Sequence, residues 1–101
     1  MRVVLFFVSL GAACVFAASP PAAQEVQTRI LVATCTGCHG TNGRSNGAIP
    51  GIAGLNKEYI IRAMREFRAE KRASTVMHQQ TKAYSDAQID RIAAFFATQG
   101  R

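Results

Sequence analysis

The chain has 101 residues, 49% of them apolar and 18% charged, and its 12 Lys and Arg against 6 Asp and Glu leave a formal charge of +6. That length holds one domain and excludes a multidomain architecture. The apolar content is not gathered into any run of the ~20 residues that a bilayer crossing needs.

The first element is a targeting segment. Arg2 precedes the apolar run Val3, Val4, Leu5, Phe6, Phe7, Val8 and Leu10, and small residues and the Ser19-Pro20-Pro21 break follow. This is the pattern of a secretory leader and not of a membrane anchor. The division expected is a leader over residues 1–23, cut between 17 and 23, and a single domain over 24–101. Val15-Phe16-Ala17 favours a cut after Ala17, and the competing site follows Ala23. Cys14 leaves with the leader. Gly11-Ala12-Ala13 supplies small residues ahead of it, but Leu10 is one place too far and the chain stays apolar afterwards, so a lipid anchor does not fit.

The remaining body of about 80 residues is near the size at which an apolar core alone is marginal. A Cys35–Cys38 disulfide would close only a trivial loop, so a large buried group is the better source of extra stability.

From Glu25 to Thr34 the spacing of Val26, Ile30 and Ala33 predicts a short helix with one apolar stripe, running straight into the cysteines. The stretch from Gly37 to Gly54 carries six glycines together with Asn42, Asn46 and Pro50, which predicts a wrapping loop. Asn56 is the expected N-cap of a helix over Lys57–Arg72, with Ile60, Ile61, Met64 and Phe67 facing inward. Its basic residues, Lys57, Arg62, Arg65, Arg68, Lys71 and Arg72, are interleaved with Glu58, Glu66 and Glu70, which reads as a solvated face first and a docking face for an acidic partner second. Ala73–Tyr84 has no period and is expected to be a loop. Ser85 and Gln88 then form a capping box that opens a last helix, with Ile89, Ile92, Ala93 and Phe96 on one face and an end near Gly100. The whole is all-α, with nothing to suggest a sheet.

Cys35-Thr36-Gly37-Cys38-His39 has the C-x-x-C-H spacing of c-type haem attachment. On a helix at ~100° per residue, positions i, i+3 and i+4 fall within one arc, so two thiols and an imidazole address a single object. The cysteines would form thioethers to the haem vinyl groups and His39 would supply the proximal nitrogen to iron. A zinc site would want more ligands than His78 can add. A thioredoxin-like pair would want a preceding strand, where a helix stands instead.

A low-spin iron needs a sixth ligand, and Met64, Met77 and His78 are the candidates. Met64 lies on the inward stripe of a helix, where methionine is ordinarily core. Met77 lies in the stretch beyond, where its thioether can reach over the open haem face. His78 competes, but paired histidines would lower the potential, whereas a thioether raises it as an electron acceptor requires. Met77 is therefore favoured. A carbonyl near Pro50 is placed to accept the proton of the second ring nitrogen of His39, and Arg72 and Tyr84 are candidates to meet a haem propionate.

These residues resemble the class I cytochromes c over the whole mature chain. The resemblance rests on Cys35-Thr36-Gly37-Cys38-His39-Gly40, Ile49-Pro50-Gly51-Ile52-Ala53-Gly54, Phe67-Arg68, Ala73-Ser74-Thr75-Val76-Met77 and Tyr84-Ser85-Asp86, in that order. Within the class, Ala73–Met77 with Lys82-Ala83-Tyr84-Ser85 is most similar to the cytochrome subunit of flavocytochrome c sulfide dehydrogenase, and also to single halves of related di-haem cytochromes. The resemblance implies a small fold of three to four helices around one covalent haem c. It implies His39 and Met77 as the axial pair, with Cys35 and Cys38 as attachment points and Pro50 supporting His39. It further implies a periplasmic electron carrier, not an enzyme by itself, that takes electrons from a flavoprotein which oxidises sulfide and passes them to a soluble redox partner. Nucleic acid and a transmembrane anchor have no place in it. The alternative is a free monohaem shuttle to an oxidase or peroxidase, with the basic helix as its docking face.

Overall fold

The computed structural model describes Val4 and residues 11–101; the front of the predicted leader, including Arg2 and the run from Leu5 to Leu10, lies outside the described residues. Cys14 is exposed and precedes the first helix.

Helix α1 spans Pro21–His39, longer at both ends than the sequence periodicity predicts. Pro21 takes the first helical position, where its fixed φ is preorganised and its missing N–H is not needed. At the other end the C-x-x-C-H residues are themselves the last turn, and Gly40 stops the helix at φ +83°. The predicted stripe is corrected: Val26 and Ile30 are 56% and 69% exposed, and Ala33 is exposed too. The buried face carries Leu31, Val32 and Cys35. Two apolar faces overlap in Ile30-Leu31-Val32-Ala33, and the inward one is the face that continues to Cys35 and His39.

Helix α2 spans Lys57–Arg68 and is capped by Asn56, whose side-chain oxygen accepts the Tyr59 N–H at 3.1 Å. It ends four residues before the expected Arg72. Glu70 adopts φ +58°, its N–H bonds the Phe67 carbonyl, and the Lys71 N–H bonds the Glu66 carbonyl. That is a Schellman stop built without its usual glycine, which is why the sequence does not announce it. Residues 73–84, expected to be a loop, contain a one-turn helix α3, Met77–Gln80, and a 3-10 turn, Thr81–Ala83. Side chains hold these turns: Ser74 Oγ accepts the His78 N–H, and Thr81 Oγ1 donates to the Met77 carbonyl at 2.7 Å. Elements of three and four residues have no period for a sequence to display.

Helix α4 spans Asp86–Ala97 and opens with the predicted capping box of Ser85 and Gln88. Ile89, Ile92, Ala93 and Phe96 have at most 1% exposure and pack against Ile60, Ile61 and Met64 of α2 and Val32 of α1. The described residues form helices and no strand, as expected for this class. No helix among them is long and apolar enough to cross a membrane.

The loop after α1 is fastened at several points. The Ser45 N–H returns to the His39 carbonyl at 2.8 Å, Ile52 and Ala53 N–H both reach the Gly43 carbonyl, and Gly54 N–H bonds the Phe96 carbonyl at the end of α4. Arg44 Nε closes the far side on the Gly100 carbonyl at 2.6 Å. These bonds bring Pro50 back beside the last turn of α1.

Candidate functional site

A cavity of about 520 Å³ lies between α1, the glycine loop, α2 and the α3 segment. Its size is within the range of cofactor sites. Cys35, Cys38 and His39 line it from the last turn of α1, Pro50 and Ile52 from the loop, Met64 and Phe67 from α2, and Met77 and Thr81 from the α3 segment. The residues singled out as attachment points, proximal ligand, supporting residue and sixth ligand therefore all meet in one place.

Cys35 and Cys38 are free thiols on neighbouring helical positions. Burial pushes the Cys35 thiol up, opposed in smaller measure by a hydrogen bond to the Thr34 side chain. A half-buried thiol whose pKa is raised by burial is poorly suited to service as an exposed redox pair. Among the described residues no three His, Cys, Asp or Glu side chains converge as metal ligands.

His39 is the best-defined member of the site. Its Nδ1 lies 2.6 Å from the Pro50 carbonyl oxygen. A carbonyl can only accept, so Nδ1 carries the proton and donates it, which leaves the lone pair of the neutral ring on Nε2. Gly40 makes this arrangement possible: a Cβ there would stand 2.7 Å from the Ser45 backbone nitrogen, blocking the turn that returns the loop.

Met77 is half-buried at the start of α3 and lines the cavity, whereas His78, one residue on, does not. Met64 lines the cavity as well, at 6% exposure among Ile60, Ile61 and the α4 core. Thr81, which sequence reasoning passed over, is wholly buried at the cavity wall. An isolated threonine in an aperiodic stretch carries no signal of burial.

Arg72 and Tyr84 both line the cavity but have partners of their own. Arg72 Nε donates to Glu66 at 2.9 Å and its guanidinium lies over the Tyr59 and Phe67 rings. The Tyr59 hydroxyl and then Glu66 hold its pKa above the usual arginine value. Tyr84 shares a 2.6 Å hydrogen bond with Thr34, tying the α3 segment to α1 next to Cys35.

The donor set fits a covalently held porphyrin: two thiols and an imidazole on one helical turn, a tautomer that frees Nε2, an apolar cavity, and a thioether on the α3 side. Comparison with known proteins agrees. The sequence model of the cytochrome c family matches residues 23–99. The chain is 41% identical over 88 residues to the cytochrome subunit of sulfide dehydrogenase of Chlorobaculum tepidum, covering 80% of each protein. It is 34% identical to the thiosulfate dehydrogenase electron acceptor of Thiomonas intermedia over 96% of this chain. It is also 33% identical to cytochrome c-552 of Acidithiobacillus ferridurans over 70% of this chain. It spans only 44% and 31% of the length of these last two.

Proposed function

The chain belongs to the cytochrome c family, and on that premise we propose that it is the electron-accepting cytochrome subunit of a periplasmic sulfide dehydrogenase, served by a flavoprotein partner. Family membership makes it a covalent haem c protein and an electron carrier, the haem supplying a one-electron iron couple. The observation that carries the finer reading is the similarity along four-fifths of the sulfide dehydrogenase subunit, in a chain of nearly the same extent.

Within this proposal each residue has a defined task. Cys35 and Cys38 anchor the porphyrin edge to α1. His39 presents Nε2 in an orientation fixed by the Pro50 carbonyl, and His39 and Met77 would be the residues that hold the haem iron. The apolar wall of Ile52, Ile60, Phe67 and Phe96 would exclude water from the bound haem and so favour a one-electron couple with little reorganisation. The domain proposed to do this begins between residues 18 and 24, and the family match from residue 23 supports that boundary. The N-terminal leader pattern supports export to the periplasm.

The free-shuttle alternative draws on the basic face of α2, and the ion pairs leave it little motivation. Asp90 pairs with Lys57, Glu66 with Arg62 and Arg72, and Asp86 with Arg65 and Arg68. These five cations share three carboxylates, so part of the positive charge on that face is compensated within the chain.

Stopped-flow mixing of the oxidised haem protein with a flavin-dependent sulfide dehydrogenase subunit and sulfide tests the proposal. Sulfide-dependent haem reduction that requires the flavoprotein is the expected result. Reduction by sulfide alone at the same rate, or none with either, would overturn it.

A further inference from the structure

Two histidines stand at or next to this site, and each ring is held by a hydrogen bond of its own. His39 donates through Nδ1 to a carbonyl, which keeps Nε2 free. His78 has a different partner. The Ser74 hydroxyl oxygen accepts the backbone N–H of His78 at 3.1 Å and lies 3.1 Å from His78 Nδ1. One hydroxyl thus engages both the backbone and the ring of His78 and holds the imidazole against Ser74.

The neighbouring contacts favour Met77 in the same way. Successive residues on a helix point ~100° apart, so α3 cannot turn both Met77 and His78 to the cavity at once. Thr81, fully buried, donates to the Met77 carbonyl at 2.7 Å and approaches that of His78 at 3.4 Å. Imidazole is a ready ligand for iron, so a histidine beside the axial thioether is a competitor that the fold has to restrain.

The geometry points to Ser74 as a positioning residue that latches His78 away from the sixth coordination position, so that the Met77 thioether takes it. This rests on the axial pair proposed above. The latch acts through two hydrogen bonds to one hydroxyl.

The test uses haem-loaded protein and reads the weak long-wavelength band of thioether-ligated ferric haem together with the midpoint potential. Met77→Ala is measured first and is expected to abolish the band. Ser74→Ala should then weaken the band, raise the histidine-ligated fraction about tenfold, and lower the potential. Ser74→Thr keeps the hydroxyl and should retain the wild-type spectrum, and Ser74→Ala combined with His78→Gln should restore it. If Ser74→Ala keeps the wild-type band and potential while Met77→Ala loses the band, the latch is wrong and the axial pair stands. Failure of His78→Gln to restore the spectrum also overturns the latch. If the wild type lacks the band and Met77→Ala changes nothing, the axial pair itself falls and the latch with it.

Discussion

Replacing Gly43 with alanine should destabilise the folded protein by about 2–4 kcal/mol, from two separable costs. Gly43 sits at φ +79°, where a Cβ costs roughly 1 kcal/mol. The added carbon would also stand 2.8 Å from Phe96 Cδ1, 2.9 Å from Ile52 Cγ1 and 3.0 Å from the Ala53 nitrogen. Phe96 has no exposed surface into which to swing, and Ala53 is held by its own hydrogen bond to the Gly43 carbonyl. Overpacking of this kind costs about 1–3 kcal/mol. For a domain of this size each kcal/mol is worth about 4–8 °C, so the melting temperature should fall by roughly 10–30 °C. Urea titration of the haem-loaded protein, followed by far-UV circular dichroism, measures it directly. Gly47→Ala is the matched control, since its Cβ would meet only Ser45 Oγ at 3.9 Å. Equal stability of Gly43→Ala and wild type, within about 0.5 kcal/mol, would refute the packing described for this loop.

Other perturbations follow the same physics. Glu70→Gly should stabilise by about 0.5–1 kcal/mol in the same titration, since the left-handed Schellman position is relieved while the exposed Lys82–Glu70 pair that it loses is worth little. Ser85→Ala removes the hydroxyl half of the capping box and should cost about 1 kcal/mol, read from the urea midpoint. A hydrogen bond from Arg68, then the charges of Arg68 and Arg65, hold the Asp86 carboxyl below its usual range. The stabilisation is thus present above the unfolded carboxylate value of about 3.9 and is lost as pH falls through the lower folded value. Asp86→Asn should flatten the acid limb of a stability-against-pH profile below about pH 4, and an unchanged limb would discount the pair. Met64→Leu conserves volume in the α2 core and should leave the ferric spectrum as it is, at a cost under about 1.5 kcal/mol.

Where local chemistry is punctuated, the fold was legible from the residues alone. Asn56 and the Ser85–Gln88 box start α2 and α4 where they should, and the Ile89, Ile92, Ala93 and Phe96 stripe is the centre of the core. The C-x-x-C-H spacing likewise puts Cys35, Cys38 and His39 on one turn at the cavity, and the carbonyl expected near Pro50 stands 2.6 Å from His39 Nδ1. Tertiary context decided what remained. Nothing within α1 tells which of two overlapping apolar faces turns inward, because Cys35 and His39 settle it through the cavity. The stop at Glu70 depends on a residue type that seldom takes a positive φ. The turns after Thr75 are held by single side-chain hydrogen bonds from Ser74 and Thr81, which periodicity cannot register. For the same reason the contrast between His39 and His78 was invisible: it lies in which atom each Nδ1 meets.

The proposed site would hold one porphyrin through thioethers at Cys35 and Cys38, with His39 and Met77 as the ligands of its iron. Intact-mass spectrometry of denatured protein, matured in cells with a c-type assembly system, tests it most directly. A chain heavier by one haem is expected, with the increment lost in Cys35→Ser/Cys38→Ser. A bare polypeptide from those cells, or an increment that survives the double substitution, would contradict it.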